Sequence, residues 1–181
     1  MPKPDWAYFF DEAPMPRFNW DLLEFLVHEI RPDSTVLETG SGGGTLWLAK
    51  LAGHVTSYEN QDVWFHRVLT ALELAGLDHK VDLRNAGEQY SYRCFEQDNI
   101  GKLYDIVIID GEDCPLCRVH TMGVGHQFVK PGGVIVVDDT ERPWYKLGLD
   151  VLDSLGWSKI RFFGKDPFNE EKEALVYRRP L

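Results

Sequence analysis

Residues 36–44 read Val36-Leu37-Glu38-Thr39-Gly40-Ser41-Gly42-Gly43-Gly44. A short apolar run enters a strand, a carboxylate closes it, and glycines then fall at every second position from Gly40 to Gly44. The next segment, Thr45-Leu46-Trp47-Leu48-Ala49-Lys50-Leu51, reads as a helix. Glycines in such a turn admit left-handed φ and let a ligand lie against the main chain. Strand, glycine turn and helix N-terminus together predict a nucleotide-type pocket. Spacing narrows the ligand. A dinucleotide fingerprint needs G-x-G-x-x-G, but its last position is Thr45 counted from Gly40 and Trp47 counted from Gly42. A P-loop needs Gly-Lys-Ser/Thr, and Gly44 is followed by Thr45. Glu38, two residues before the turn, would repel a pyrophosphate and attract a cation. A turn that holds nothing has no use for three alternating glycines, each of which costs conformational entropy.

Outward from this stretch the chain alternates. Asn19 is a helix N-cap candidate, and Leu22, Leu23, Phe25, Leu26 and Ile30 form an apolar face. Strands are expected at Thr35–Glu38, His54–Glu59, Val81–Asn85, Tyr104–Asp110 and Val134–Asp138, with helices at Asp62–Ala75 and Trp144–Leu155. The runs at Ile106–Ile109 and Val134–Val137 are apolar without alternation, as in parallel strands buried on both faces. Lys130-Pro131-Gly132-Gly133 reads as a turn before the latter. Lys159–Phe163 and Ala174–Tyr177 close the pattern as a hairpin, joined by the polar stretch 164–173. Repeated βα units predict an α/β fold, a doubly wound, mostly parallel sheet with one antiparallel C-terminal strand. Residues 1–18, rich in Pro and aromatics, form an arm; 19–181 form a single domain.

E-x-G-x-G-x-G at Glu38–Gly44 resembles motif I of the class I S-adenosylmethionine-dependent methyltransferases. Their ligand carries a sulfonium and an ammonium and no phosphate. The element pattern is similar to their seven-stranded Rossmann-like fold from about residue 19 to 179. The resemblance implies S-adenosylmethionine held by Glu38, Gly40, Ser41, Gly42 and Gly44. Glu59, nineteen residues beyond Gly40, stands where an acidic residue binds ribose hydroxyls. Asn85-Ala86-Gly87-Glu88 is similar to the family's adenine-contacting segment, with Gly87 and Glu88 as cofactor residues, and Asp110 completes the set.

Methyl transfer needs an acceptor atom aligned with the methyl carbon and stripped of its proton. Asp110, Asp138 and Asp139 end adjacent strands and are the candidate catalytic residues, an oxygen cluster suited to Mg²⁺. Ile109-Asp110-Gly111-Glu112-Asp113 and the segment 132–139 resemble the metal site of catechol-type and sugar O-methyltransferases. That implies metal-assisted methylation of a small hydroxyl-bearing substrate. Capping of the next turn is the simpler role for Asp138 and Asp139. The family often carries Lys or His three residues beyond the strand 4 Asp, where this chain has Asp113. Asp110, Asp113, His120 and His126 are substitute bases. Cys114 and Cys117 with His120 spell C-x-x-C-x-x-H, with Cys94, His126 or Asp113 as a fourth zinc ligand, although two ordinary thiols are the commoner meaning. Trp6, Tyr8, Phe9, Trp144 and Tyr145 are candidates to line the acceptor pocket.

A net charge of −10 disfavours nucleic-acid partners. No apolar run reaches membrane-spanning length, the start lacks a signal-peptide core, and three cysteines make no disulfide framework; cytoplasmic residence is expected. A homo-oligomer is left open. The rivals are an aminopropyl transferase of the polyamine type, for which Asp110 and Asp113 would be the paired aspartates, and a binding module for S-adenosylmethionine or a nucleotide without chemistry.

Overall fold

The computed structural model describes residues 15–87, 91–111 and 115–181. Thirteen principal elements alternate along them: α1 (Trp20–Glu29), β1 (Thr35–Thr39), α2 (Gly43–Leu51), β2 (His54–Glu59), α3 (Asp62–Ala75), β3 (Val81–Asn85), α4 (Ser91–Asn99), β4 (Tyr104–Ile109), α5 (Pro115–Gly125), β5 (Val129–Asp138), α6 (Lys146–Ser154), β6 (Ser158–Lys165) and β7 (Glu171–Arg178). The seven strands form one sheet in the order β3-β2-β1-β4-β5-β7-β6. Neighbours from β3 to β5 pair parallel, and β7 runs antiparallel to both β5 and β6. This is the doubly wound sheet with one reversed strand that the sequence pattern predicts.

The central strands alternate between two cores. Ile106, Ile108, Val134 and Val136 pack with Leu22, Leu26 and Leu48 on one face. Val107, Ile109, Ile135 and Val137 pack with Phe95, Met122 and Tyr145 on the other. Burying both faces is why these strands read as unbroken apolar runs, each side chain contributing about 1.5–3 kcal/mol. α1 begins where expected, with the Asn19 side chain accepting from the Leu22 amide at 2.9 Å. Helix α3 stops at Gly76, whose φ of 65° suits glycine.

Three local expectations shift. Lys130-Pro131-Gly132-Gly133 lies inside β5, as an irregularity where pairing with β4 jumps from Tyr104↔Val129 to Ile106↔Val134. Strand β7 begins at Glu171, three residues before the expected Ala174, so Lys172 and Glu173 are strand residues. Helices α4 and α5 fill crossovers that carry no assignment in the sequence reading. Of the expected arm, residues 15–18 are described, and Phe18 is in the core; Trp6, Tyr8 and Phe9 lie outside the described residues. No helix among the described residues is long and apolar enough to cross a membrane.

Ile108 is fully buried in the middle of β4. Ile108→Ala is expected to lower stability by about 2–5 kcal/mol in urea unfolding.

Candidate active site

A cleft of about 490 Å³ opens beyond the carboxyl ends of the parallel strands. It sits where β1 and β4 send their connections to opposite sides, the switch point at which open α/β sheets bind ligands. The turns after these two strands touch through backbone. Gly40 has φ 83°, and a Cβ built on it would overlap the Asp110 carbonyl. Gly111 is less tightly held, its Cβ position 3.2 Å from the Gly40 amide nitrogen. Gly42, at φ −177°, is extended and caps α2. Gly44 is helical, and a Cβ there would meet Glu38 Oε1 at 3.4 Å. Only Gly40 of the three alternating glycines needs left-handed backbone; Gly44 instead gives room to the carboxylate.

Two buried carboxylates lie under the turn. Glu38 Oε2 accepts from the Thr45 hydroxyl at 2.7 Å and the Ser57 hydroxyl at 2.6 Å. Thr45 Oγ1 in turn accepts from the Gly42 amide, so Glu38 braces the start of α2. Burial pushes Glu38 up to about 8, against the pull of the Ser57 and Thr45 hydroxyls and with a further push from Asp110 and Glu59. The folded protein thus holds a proton that the unfolded chain releases. This contribution to stability is complete below about pH 4.5 and is lost as pH rises through 8. Glu59 is bound differently: the amides of Asn60 and Gln61 donate to Oε1 at 2.9 and 2.8 Å, and that of Ser41 to Oε2 at 3.1 Å. The Ser41 hydroxyl lies 2.8 Å from that of Ser57. Trp64, on α3, donates its indole N–H to the Ser41 carbonyl at 2.6 Å and lines the cleft.

The other end of the cleft is a cluster of six charged side chains. Asp110, Asp138 and Asp139 come together, with carboxylate oxygens within 4.8 Å of one another. Against them stand Arg118 from α5, Arg142, and Lys172 from β7. Asp139 Oδ2 takes Arg142 at 2.9 Å and Arg118 at 3.3 Å, and Asp139 Oδ1 accepts from Lys172 Nζ. Arg118 also donates to the Gly111 and Asp138 carbonyls and stacks 4.9 Å from the Tyr145 ring centroid. Burial opposes ionisation of Asp139, but Lys172, Arg118 and Arg142 outweigh it and hold the carboxyl below its usual range. Its φ of 57° is left-handed, an uncommon conformation for a non-glycine residue and one that recurs at functional sites. Asp138 is the opposite case. It is 1% exposed, and neither carboxylate oxygen has a hydrogen-bond partner among the described residues. Burial and the charges of Asp110 and Asp139 push it well up. Asp110, with its side chain 32% exposed, is also raised by desolvation in the cleft, only partly offset by Arg118.

The entrance is built from distant segments. Arg17 pairs with Glu170 at 2.5 Å and lies 5.6 Å from the Phe168 ring centroid, joining residues 15–17 to the β6–β7 turn. Asp166, fully buried, organises that turn by accepting from the Phe168 and Glu170 amides at 2.8 and 2.9 Å.

Glu38, Gly40, Ser41, Gly42, Gly44, Glu59, Asp110, Asp138 and Asp139 therefore line one cavity. Gly87 is not part of the wall that the described residues make; its amide donates to Asn85 Oδ1 at 3.0 Å. Glu88, Asp113 and Cys114 lie outside the described residues. His120 faces Glu96 at 3.3 Å and His126 packs on Trp157, so neither substitute base reaches the cleft. Cys94, Cys117 and these histidines form no metal-binding group among the described residues. Arg17, Trp64, Arg118, Arg142, Phe168 and Lys172 are site residues that sequence reasoning missed. For Arg118 a signal existed, a cation next to Val119 and one turn before Met122, on the apolar face of a helix that covers the sheet.

No family profile matches the chain, and no curated protein matches it in sequence. Solved structures do match its fold. An rRNA methylase from Streptococcus thermophilus superposes with TM-score 0.68 at 14% identity, over 92% of this chain and 99% of that one. An O-methyltransferase from Bacillus cereus in complex with SAH gives TM-score 0.68 at 16% identity, over 99% and 93%. The O-methyltransferase TomG from Streptomyces achromogenes, in complex with SAM, gives 0.64 at 16%, over 87% and 77%. The chain has the methyltransferase fold. In a methyltransferase fold the seam between Gly40 and Asp110 shapes the floor of the cleft. Gly40→Ala is expected to cost at least about 2 kcal/mol in urea unfolding, left-handed strain plus a backbone clash. Gly76→Ala is the control: φ is 65° there too, but nothing lies within 4 Å of a Cβ, so only the strain, about 1 kcal/mol, should appear.

Proposed function

We propose that this chain is an S-adenosylmethionine-dependent methyltransferase that methylates a hydroxyl of a small molecule. The carrying observation is the cleft floor, where Glu38 and Glu59 lie buried beneath the glycine turn. A diphosphate there would gain nothing from Glu38, which it would keep protonated, whereas a sulfonium or ammonium favours the ionised carboxylate and is attracted. The SAH and SAM complexes of the two O-methyltransferase neighbours support this reading. The rRNA methylase neighbour raises RNA as an acceptor, but a net charge of −10 weighs against a long phosphate backbone. Residence in the cytoplasm is part of the same reading.

The resemblance also implies Mg²⁺ at Asp110, Asp138 and Asp139. Their spacing would allow it, but the charges around them do not suit a dication. Arg118, Arg142 and Lys172 oppose the three carboxylates one for one, and all three contact Asp139. No catalytic step is assigned to a metal. Bound S-adenosylmethionine supplies a methyl group on a sulfonium, whose sulfur leaves as a neutral thioether. The protein's part is to hold that group against the Gly40 turn and to orient an acceptor oxygen at the aspartate end, where alignment lowers the barrier by several kcal/mol. Asp138, on the cleft wall with neither oxygen hydrogen-bonded among the described residues, is placed to accept the acceptor's proton in its ionised form.

Without ligand, Glu38 keeps its proton up to about pH 8. A cationic ligand favours the ionised form, so binding releases that proton. In calorimetry, affinity for S-adenosylmethionine is expected to climb with pH by up to about tenfold per unit and to level off above pH 8. Glu38→Gln should flatten the profile. NAD should not bind; a chain that prefers NAD, or binds neither, ends the proposal. Transfer of labelled methyl to a panel of phenols and vicinal diols separates an enzyme from a binding module.

A further inference from the structure

We infer that Lys172 is the resident cation of the acceptor site, in the place a divalent metal would take, and that the acceptor is a single acidic hydroxyl of the phenol type. The inference rests on the methyltransferase reading and deepens it.

Lys172 reaches the site through the register of β7. Asp138 pairs with Ala174 across the antiparallel ladder, and Lys172, two residues on, shares that face of the strand. Its ammonium hydrogen-bonds Asp139 Oδ1 and lies 3.8 Å from Asp138 Oδ2, so it bridges the two carboxylates. The side chain is 13% exposed and lines the cleft. An ammonium has three N–H donors. Asp139 takes one and Asp138 at most a second, which leaves a third for a guest. Asp139 and Asp138 face the ammonium at hydrogen-bond and ion-pair distance and favour its charged form. It is an electrophilic anchor and not the base. The second observation is Asp138 itself, almost fully buried on the cleft wall with neither oxygen hydrogen-bonded among the described residues. Anchor and proton acceptor thus stand side by side.

This pair sets the substrate class. A chelating metal holds two neighbouring oxygens and so selects vicinal diols. One ammonium donates to one oxygen and needs no neighbour. It also lowers the acceptor's pKa less than a dication would, so the hydroxyl must already be acidic, with a pKa near 10 as in a phenol. In the step, the hydroxyl proton passes to the ionised form of Asp138 and an oxygen lone pair forms the bond to the methyl carbon. The carbon–sulfur bond breaks with its electron pair going to sulfur, which becomes neutral. Lys172 keeps its proton throughout.

The test uses the full chain and three readouts. Mn²⁺ titration followed by electron paramagnetic resonance is expected to show no saturable binding up to about 1 mM. Methyl transfer should be indifferent to EDTA and should proceed with a monophenol as well as with a catechol. Lys172→Met should lose about 10²-fold in kcat, as when one oxyanion donor is removed, with affinity for S-adenosylmethionine unchanged by calorimetry. Lys172→Met should also gain Mn²⁺ binding, because a dication can then enter beside Asp138. Saturable Mn²⁺ binding in the wild type, loss of turnover in EDTA, catechol-only activity, or an unchanged kcat in Lys172→Met would each overturn the inference. If Lys172→Met does not fold, the wild-type manganese and acceptor measurements decide. Failure to bind S-adenosylmethionine sinks the methyltransferase reading instead, and only the manganese arm then judges the place of Lys172.

Discussion

Everything in the cleft depends on a contact between two pieces of main chain. At the switch point the turn after β1 meets the turn after β4, and Gly40 lies against the Asp110 carbonyl with no room for a side chain. The Asp110 amide also donates to the Thr39 carbonyl at 3.2 Å, so the turns are tied as well as packed. That seam sets where the helix α2 N-terminus begins, where Glu38 is buried, and where Asp110 enters the cavity. Side chains can then be exchanged around it, but the approach of the two backbones cannot.

The strand-end carboxylates show how one residue type is put to different uses by its surroundings. Glu38 is buried among hydroxyls and keeps its proton, while Glu59 is fixed by three backbone amides. Asp139 is surrounded by cations and stays ionised. Asp138 has no hydrogen bond of its own among the described residues, and burial with the charges of Asp110 and Asp139 pushes it well up, which makes its ionised form a ready proton acceptor. Pushing neighbouring carboxyl groups apart in acidity is the usual preparation for proton chemistry. Aspartates and cations are matched in number in the cluster, three of each, so each buried carboxyl group faces a cation supplied by this chain.

The fold was readable because its strongest signals are local. Apolar runs such as Ile106–Ile109 and Val134–Val137 can be strands buried on both sides and little else, and the glycine turn declares a close approach of backbone. The misread elements are those whose residues obey distant partners. Glu171-Lys172-Glu173 reads as a loop because three charged residues seldom fit a strand; they do here because Arg161 pairs with Glu173 and Lys172 meets Asp138 and Asp139. The acidic half of the site was legible for the same reason as the sheet, since each carboxylate closes a strand. The basic half was not: Lys172 and Asp139 are 33 positions apart, Arg118 and Asp139 21, and no periodicity announces such pairs.

The placement of Lys172 makes strand register a chemical variable. Its ammonium belongs to the reversed strand and its carboxylate partners to the parallel core. A slip of β7 by two residues would keep every apolar side chain on its proper face yet carry the charge about 7 Å along the sheet. Apolar packing alone does not forbid that slip. The three-way contact of Lys172, Asp138 and Asp139 does, so the residues that ready the cleft for reaction also act as the pin that locks the hairpin in alignment.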